Sequence, residues 1–201
     1  MPSTPVPELD TRAIQAVVMG ASAGGVEALL KVLVGLPAPY PAPIIVVLHL
    51  PEDRPSLLSE ILAYRLSVPV FEAMDKQPIE PSTVYIAPPG YHLSVESDHS
   101  FSLSGEMPVN YSRPSIDVLM GSAADAFGAG LLGILMTGAN HDGAEGMAHI
   151  KARGGWTVVQ SPEQAQAATM PSAAIRRQAP DLILSLADIH ALLLKLGRDR
   201  S

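Results

Sequence analysis

Two apolar runs with a helical stripe between them constrain the fold of this chain more than any other feature. Residues 14–19, Ile-Gln-Ala-Val-Val-Met, are too few for a helix and rich in β-branched side chains, so they predict a buried strand. Val26, Leu29, Leu30 and Leu33 then recur at i, i+3, i+4 and i+7, the pattern of a helix with one face on a sheet. A proline-rich connector, 37–43, leads into the apolar run Pro-Ile-Ile-Val-Val-Leu-His-Leu over 43–50, and a second helix is predicted from Ser56 to about Leu66. Strand, helix, strand, helix in this order is a parallel βαβ unit with a right-handed crossover. The first strand breaks into its helix through Gly-Ala-Ser-Ala-Gly-Gly, residues 20–25. A glycine-flanked turn at that place can cradle a phosphate or present a serine nucleophile.

Downstream the pattern changes and then returns. Residues 68–74, 82–96 and 100–105 are short, alternating and punctuated by Pro, Gly and Asp, which predicts shorter strands and an antiparallel hairpin near 83–104. Ile116, Leu119, Met120, Ala123 and Phe127 share one helical face, with Ser115 as the expected N-cap. Residues 130–138 read as a third buried strand followed by a turn and a glycine-closed helix. Trp156–Gln160 reads as a further strand, 171–178 as a short helix and 181–186 as a last strand, before a terminal helix marked by Ile189, Leu192, Leu193 and Leu196. The fold class expected is α/β: a three-layer, doubly wound, mostly parallel sheet flanked by helices, with an antiparallel hairpin in the middle of the chain. Apolar residues at 47% with only 4% aromatics suit a core of Val, Ile, Leu, Ala and Met between sheet and helices.

The chain of 201 residues is expected to form one domain over 13–197 after a flexible Pro-rich tail over 1–12. Thirteen Lys and Arg against twenty Asp and Glu, net −7, leave no electrostatic footprint for nucleic acid or an anionic membrane. No signal pattern opens the sequence, and no segment reaches the roughly 18 apolar residues of a membrane span, so no membrane insertion is expected. The absence of cysteine excludes disulfides, thiolate metal sites and a cysteine nucleophile, and the cytoplasm is the expected compartment.

Three predicted strands deliver one reactive side chain each at or just past their carboxyl ends: Ser22, His49 and Asp142. Carboxyl ends of an open parallel sheet lie along one edge, where ligands bind. A serine hydroxyl needs a base to take its proton, and a histidine base needs an acceptor to fix its tautomer, so the three together can form a nucleophile, base and orienting carboxylate. The turn glycines would expose Ser22 near a helix N-terminus, with the Ala23 N–H as an oxyanion donor and the 137–142 loop as the source of a second. Each residue also has a plainer reading: Ser22 as a turn residue, His49 satisfied by a nearby backbone group, Asp142 as the cap of the helix that follows it. His141 is a rival base or a surface residue, and His92 has no assigned role. A dinucleotide site is the competing reading of the glycine turn, but the second strand ends in Val-Val-Leu-His-Leu with no acidic residue for a ribose, and no tyrosine is followed by lysine four residues on. A metal site from His49, His92, His141 and Asp142 lacks ligand spacing, so no metal and no cofactor are expected.

Six motifs in order, Gly-Ala-Ser-Ala-Gly-Gly, the strand ending Leu-His before Pro, Tyr-Ile-Ala-Pro-Pro-Gly-Tyr-His-Leu, Arg-Pro-Ser-Ile-Asp-Val-Leu-Met-Gly-Ser-Ala-Ala, Leu-Met-Thr-Gly-Ala-Asn-His-Asp-Gly-Ala-Glu-Gly-Met and Met-Pro-Ser-Ala-Ala-Ile, resemble the catalytic domain of the bacterial chemotaxis protein-glutamate methylesterases, the CheB family. The resemblance runs from about residue 14 to 190. It implies a serine hydrolase that cleaves γ-glutamyl methyl esters on chemoreceptor cytoplasmic helices, releasing methanol, in a family that often also deamidates glutamines. It implies Ser22 as nucleophile, His49 as base and Asp142 as its orienting acid, with oxyanion N–H groups at Ala23 and Ala139. Ala23 and Ala139 stand where many members carry threonine and methionine. The family's usual N-terminal receiver domain is not expected before residue 14, which implies a constitutively open enzyme or regulation by a separate receiver protein. A non-catalytic module of the same fold, docking in a chemosensory complex, is the alternative.

Overall fold

The computed structural model describes residues 9–49 and 57–199. Its centre is β1 (Ala16–Ala21), flanked by β2 (Ile44–Leu48) and β7 (Leu131–Leu135). With β3 (Val70–Glu72), β4 (Val84–Ile86), β8 (Trp156–Gln160) and β9 (Leu182–Leu184) they form one parallel seven-stranded sheet in the order β3-β4-β2-β1-β7-β8-β9. All residues of β1, β2 and β7 are buried, which explains why their sequences are continuously apolar rather than alternating.

Parity along the strands sorts the core into two layers. Val17, Met19, Ala21, Ile44, Val46 and Leu48 face α1 (Gly25–Leu33), α2 (Leu58–Arg65) and α6 (Leu186–Asp199). Ala16, Val18, Ile45 and Val47 face α3 (Ile116–Phe127), α4 (Ala144–Ala152) and α5 (Thr169–Arg177), together with the hairpin β5 (His92–Val95) and β6 (Phe101–Ser104). Gly20 is where α3 comes down onto β1: a Cβ there would lie 2.4 Å from Ile116 Cγ2, so only glycine lets the helix N-terminus approach the strand end. From β1 the chain passes to β2, out to the edge strand β3 and back to β4 between them, and then crosses to β7 on the other side of β1. The sheet therefore has its topological switch point between β1 and β7, the place at the carboxyl edge where open α/β sheets bind ligands.

Two expectations are corrected. The hairpin spans 92–104, not 83–104: Val84–Ile86 is a strand of the main sheet, parallel to both β2 and β3. Its three residues are all buried, so the apparent alternation around them did not mark a half-exposed strand. Ser115 does stand at the N-cap of α3, but its side chain makes no capping bond; the capping acceptor comes from outside the helix, as described below. Most of the proposed 1–12 tail lies outside the described residues, as do Ser56 and Leu50, but of its described part Leu9 and Thr11 are buried, and Thr11 Oγ1 donates to Asp199 in α6 at 2.5 Å. Among the described residues no helix is long and apolar enough to cross a membrane.

Candidate active site

Backbone hydrogen bonds carry the sheet ladder one residue past its strands and line up the candidates. The His49 N–H donates to Ala21 C=O at 3.1 Å, and the Ser22 N–H donates to Thr137 C=O at 2.9 Å. Since Ala21 pairs with Leu48, Ser22 and His49 follow as neighbours on adjacent strands, whose backbones run about 4.8 Å apart. By parity both follow Gly20 and Val47 onto the face that carries α3.

The turn after β1 is set by one glycine. Gly25 N–H donates to Ser22 C=O at 2.7 Å, closing a four-residue turn with Gly24 at φ 79°, ψ 3°. That is the third position of a type II turn, which requires positive φ. Thr137, almost wholly buried, fastens the turn: its hydroxyl donates to Ala23 C=O at 2.8 Å and accepts the Ala167 N–H at 2.9 Å. With Ser22 C=O held by Gly25, the Ala23 N–H on the opposite side of that trans peptide must face away. Ala139 repeats the arrangement, because the Gly138 C=O accepts from Met170 N–H at 2.9 Å. Neither the Ala23 nor the Ala139 N–H meets an acceptor among the described residues.

Asp142 is fully buried and collects donors from three directions. Its Oδ2 accepts from His49 Nε2 at 2.8 Å and from Ile116 N–H at 2.7 Å. Its Oδ1 accepts from Ser115 Oγ at 2.9 Å, Asp117 N–H and Gly143 N–H at 3.1 Å each, and Asn110 Nδ2 at 3.2 Å. Asp142 therefore caps the N-terminus of α3, not that of the helix following it, whose N-cap is Gly143. Burial pushes its carboxyl pKa up, but the hydrogen bonds from His49, Ile116, Asn110 and Asp117 outweigh burial and hold it below the usual carboxylate range. Asp117 moves the other way, raised by burial and by the Asp142 charge. The Asn110 amide lies between the two carboxylates, 2.8 Å from Asp117 Oδ2.

A carboxylate can only accept, so the hydrogen-bonded nitrogen Nε2 of His49 carries a proton, and in the neutral imidazole the lone pair is then on Nδ1. Nδ1 faces two side chains that sequence patterns gave no reason to select: Ser112 Oγ at 3.4 Å and Asn140 Nδ2 at 3.4 Å. The Ser22 hydroxyl, half-buried at the strand end, hydrogen-bonds to neither His49 nor any other described residue. The structure thus joins His49 to Asp142 directly and sets Ser22 beside them without a bond. His92 is a structural residue: its Nδ1 accepts the Ser115 N–H at 3.2 Å and its Nε2 meets Met107 C=O at 3.1 Å, tying the hairpin to the start of α3. His141 is exposed. Among the described residues no three His, Asp or Glu side chains cluster as metal ligands. Behind the glycine turn a cleft of about 350 Å³ is lined by Glu27, Glu163 and Lys31, and Lys31 is paired with Glu27 at 2.8 Å, a poor setting for a pyrophosphate.

Known proteins resemble this chain along most of its length. The family model described as CheB methylesterase matches residues 17–193. A protein of Leptospira interrogans serovar copenhageni is 41% identical over 185 residues, covering 92% of this chain and 96% of the relative. The protein-glutamate methylesterase/protein-glutamine glutaminase of Caldanaerobacter subterraneus is 38% identical over 89% of this chain and 50% of its own length. The crystal structure of the Thermotoga maritima CheB methylesterase catalytic domain superposes with a TM-score of 0.85 at 30% identity, covering 91% of this chain and 98% of that one.

Proposed function

We infer what this chain does from one premise: the chain belongs to the CheB methylesterase family. It is a serine hydrolase that cleaves γ-glutamyl methyl esters on chemoreceptor-type proteins, and glutamine side chains by the same route. The observation that carries this reading is the His49 Nε2 to buried Asp142 hydrogen bond of 2.8 Å, which makes Nδ1 the basic nitrogen of the neutral imidazole at the sheet edge where Ser22 follows β1.

In the proposed reaction Ser22 Oγ attacks the γ-carbonyl carbon while His49 Nδ1 takes the hydroxyl proton. Asp142 accepts from Nε2–H throughout and stabilises the imidazolium. The tetrahedral oxyanion lies against the Ala23 and Ala139 N–H groups, each fixed before substrate arrives because its peptide carbonyl partner is already bonded. The carbon–oxygen bond to the methoxy group breaks as Nδ1–H returns the proton, and methanol leaves. Water, deprotonated by Nδ1, then opens the acyl-enzyme to the γ-carboxylate and restores Ser22.

The test is methanol release from a methylated chemoreceptor cytoplasmic fragment by the purified chain and by Ser22→Ala. The reading expects release by the first and loss of most of it in the second, with an unchanged melting temperature, since Ser22 Oγ holds no other group among the described residues. Methanol production by Ser22→Ala at the parent rate would sink it.

A further inference from the structure

The base that takes the Ser22 proton must also hand it to whatever departs from the carbonyl carbon. That nitrogen is His49 Nδ1, because Asp142 occupies Nε2. Any side chain around Nδ1 is therefore a neighbour of the leaving group. Among the described residues two are there, Ser112 Oγ and Asn140 Nδ2, each 3.4 Å from Nδ1 and 3.4 Å from one another.

They differ in what they can offer. The Asn140 amide is oriented by its own oxygen, which accepts the Asp142 N–H at 3.2 Å, so the end turned to His49 is purely a donor. The Ser112 hydroxyl can turn its proton to Asn110 C=O, 3.4 Å away, and then presents lone pairs to the site. The two substrates of the family reading differ at this point alone. A methoxy oxygen can only accept a hydrogen bond, whereas a primary amide nitrogen brings two N–H donors that need acceptors once water is excluded. A donor beside Nδ1 suits the ester and opposes the amide; an acceptor does the reverse.

We propose that Asn140 and Ser112 form the leaving-group subsite and set the ratio of ester to amide hydrolysis, Asn140 Nδ2 favouring departure of methanol and Ser112 Oγ admitting departure of ammonia. The proposal rests on the hydrolase reading above. In either reaction the Ser22 Oγ–carbon bond forms and the Ser22 proton moves to Nδ1. The carbon–oxygen or carbon–nitrogen bond then breaks, and the same proton leaves on methanol or ammonia. A substrate that lacks its matching partner leaves a polar group unpaired once it covers these residues, the condition under which enzymes discriminate most strongly.

The experiment uses one chemoreceptor cytoplasmic fragment prepared with either the γ-methyl ester or glutamine at the same position, and measures initial rates of methanol and ammonia release. Ser112→Ala is expected to lower the ammonia-to-methanol ratio and Asn140→Ala to raise it, each by on the order of tenfold, the worth of one neutral hydrogen bond. Ser112→Thr, which keeps the hydroxyl, should restore the parent ratio. Structural damage would depress both products together, so equal losses in the two variants, or shifts of the same sign, overturn the subsite. Methanol without ammonia from the parent and from Asn140→Ala alike also overturns it. Absence of both products from the parent chain is a different result, which overturns the hydrolase reading itself and the subsite with it.

Discussion

Replacing Asp142 by asparagine removes one charge and one acceptor from the most connected side chain of the site. If the oxygen of the new carboxamide stays toward Ser115, Asp117, Gly143 and Asn110, its NH2 group faces His49 Nε2 and Ile116 N–H. The opposite orientation sets NH2 against three or more donors, so the first is favoured. His49 then relieves a donor–donor contact by moving its proton to Nδ1, and a protonated Nδ1 cannot act as base. Rate loss for such a tautomer error is on the order of 10⁴-fold in Ser-His-Asp hydrolases. Stability falls as well. Ile116 N–H, buried at the first turn of α3, loses its 2.7 Å acceptor at a cost of about 1–3 kcal/mol. The helix N-terminus also loses a negative charge worth about 0.3–1 kcal/mol or more when buried. Together these come to about 2–4 kcal/mol, or a melting temperature lowered by roughly 5–15 °C for a domain of this size. Methanol release, a thermal scan and ¹⁵N spectra of the His49 ring read the three effects separately. Release within tenfold of the parent, with Nε2 still protonated, would refute the role of Asp142 as the group that fixes the tautomer and leave it as a helix cap.

The same carboxylate gives a pH signature. Its folded pKa is depressed, so its contribution to stability is complete above the ordinary carboxylate value of about 3.9 and is lost as pH falls from there toward the folded value. The melting temperature of the parent should drop more steeply than that of Asp142→Asn over that interval, and parallel curves would contradict it. Gly24→Ala forces φ 79° on a β-carbon that would lie 2.5 Å from Gln166 Oε1. A cost of about 1–3 kcal/mol and a lower kcat at little-changed KM are expected; a variant as stable and active as the parent would show that the turn geometry does not matter. Thr137→Val deletes the hydroxyl joining Ala23 C=O to Ala167 N–H and should cost about 1–3 kcal/mol, measured by chemical denaturation. An unchanged unfolding midpoint would show that the turn does not need this fastening.

What was legible in the sequence depended on how local the cause was. Ser22 and His49 could be paired on paper because each ends a continuously apolar strand, and strand ends of a parallel sheet share an edge. Asp142 could be selected by the same rule, but the cap it provides could not: its partner helix starts at Ile116, a distant stretch brought to the strand end by the contact of Ile116 with Gly20. Ser112 and Asn140 carry no pattern of their own. They matter only because the loop before α3 and the loop after β7 close over one imidazole nitrogen. The same non-locality misled the hairpin boundary, since only the parallel pairing of Val84–Ile86 with both β2 and β3 removes it from the hairpin.

Labelling with a fluorophosphonate, followed by mass-spectrometric location of the adduct, tests most directly whether Ser22 is the hydroxyl that His49 activates. Among the described residues two serines compete in this site, Ser22 at the strand end and Ser112 at 3.4 Å from the base. The adduct is predicted on Ser22, forming far more slowly in His49→Ala. An adduct on Ser112, or equal labelling of Ser22 with and without the imidazole, would contradict it.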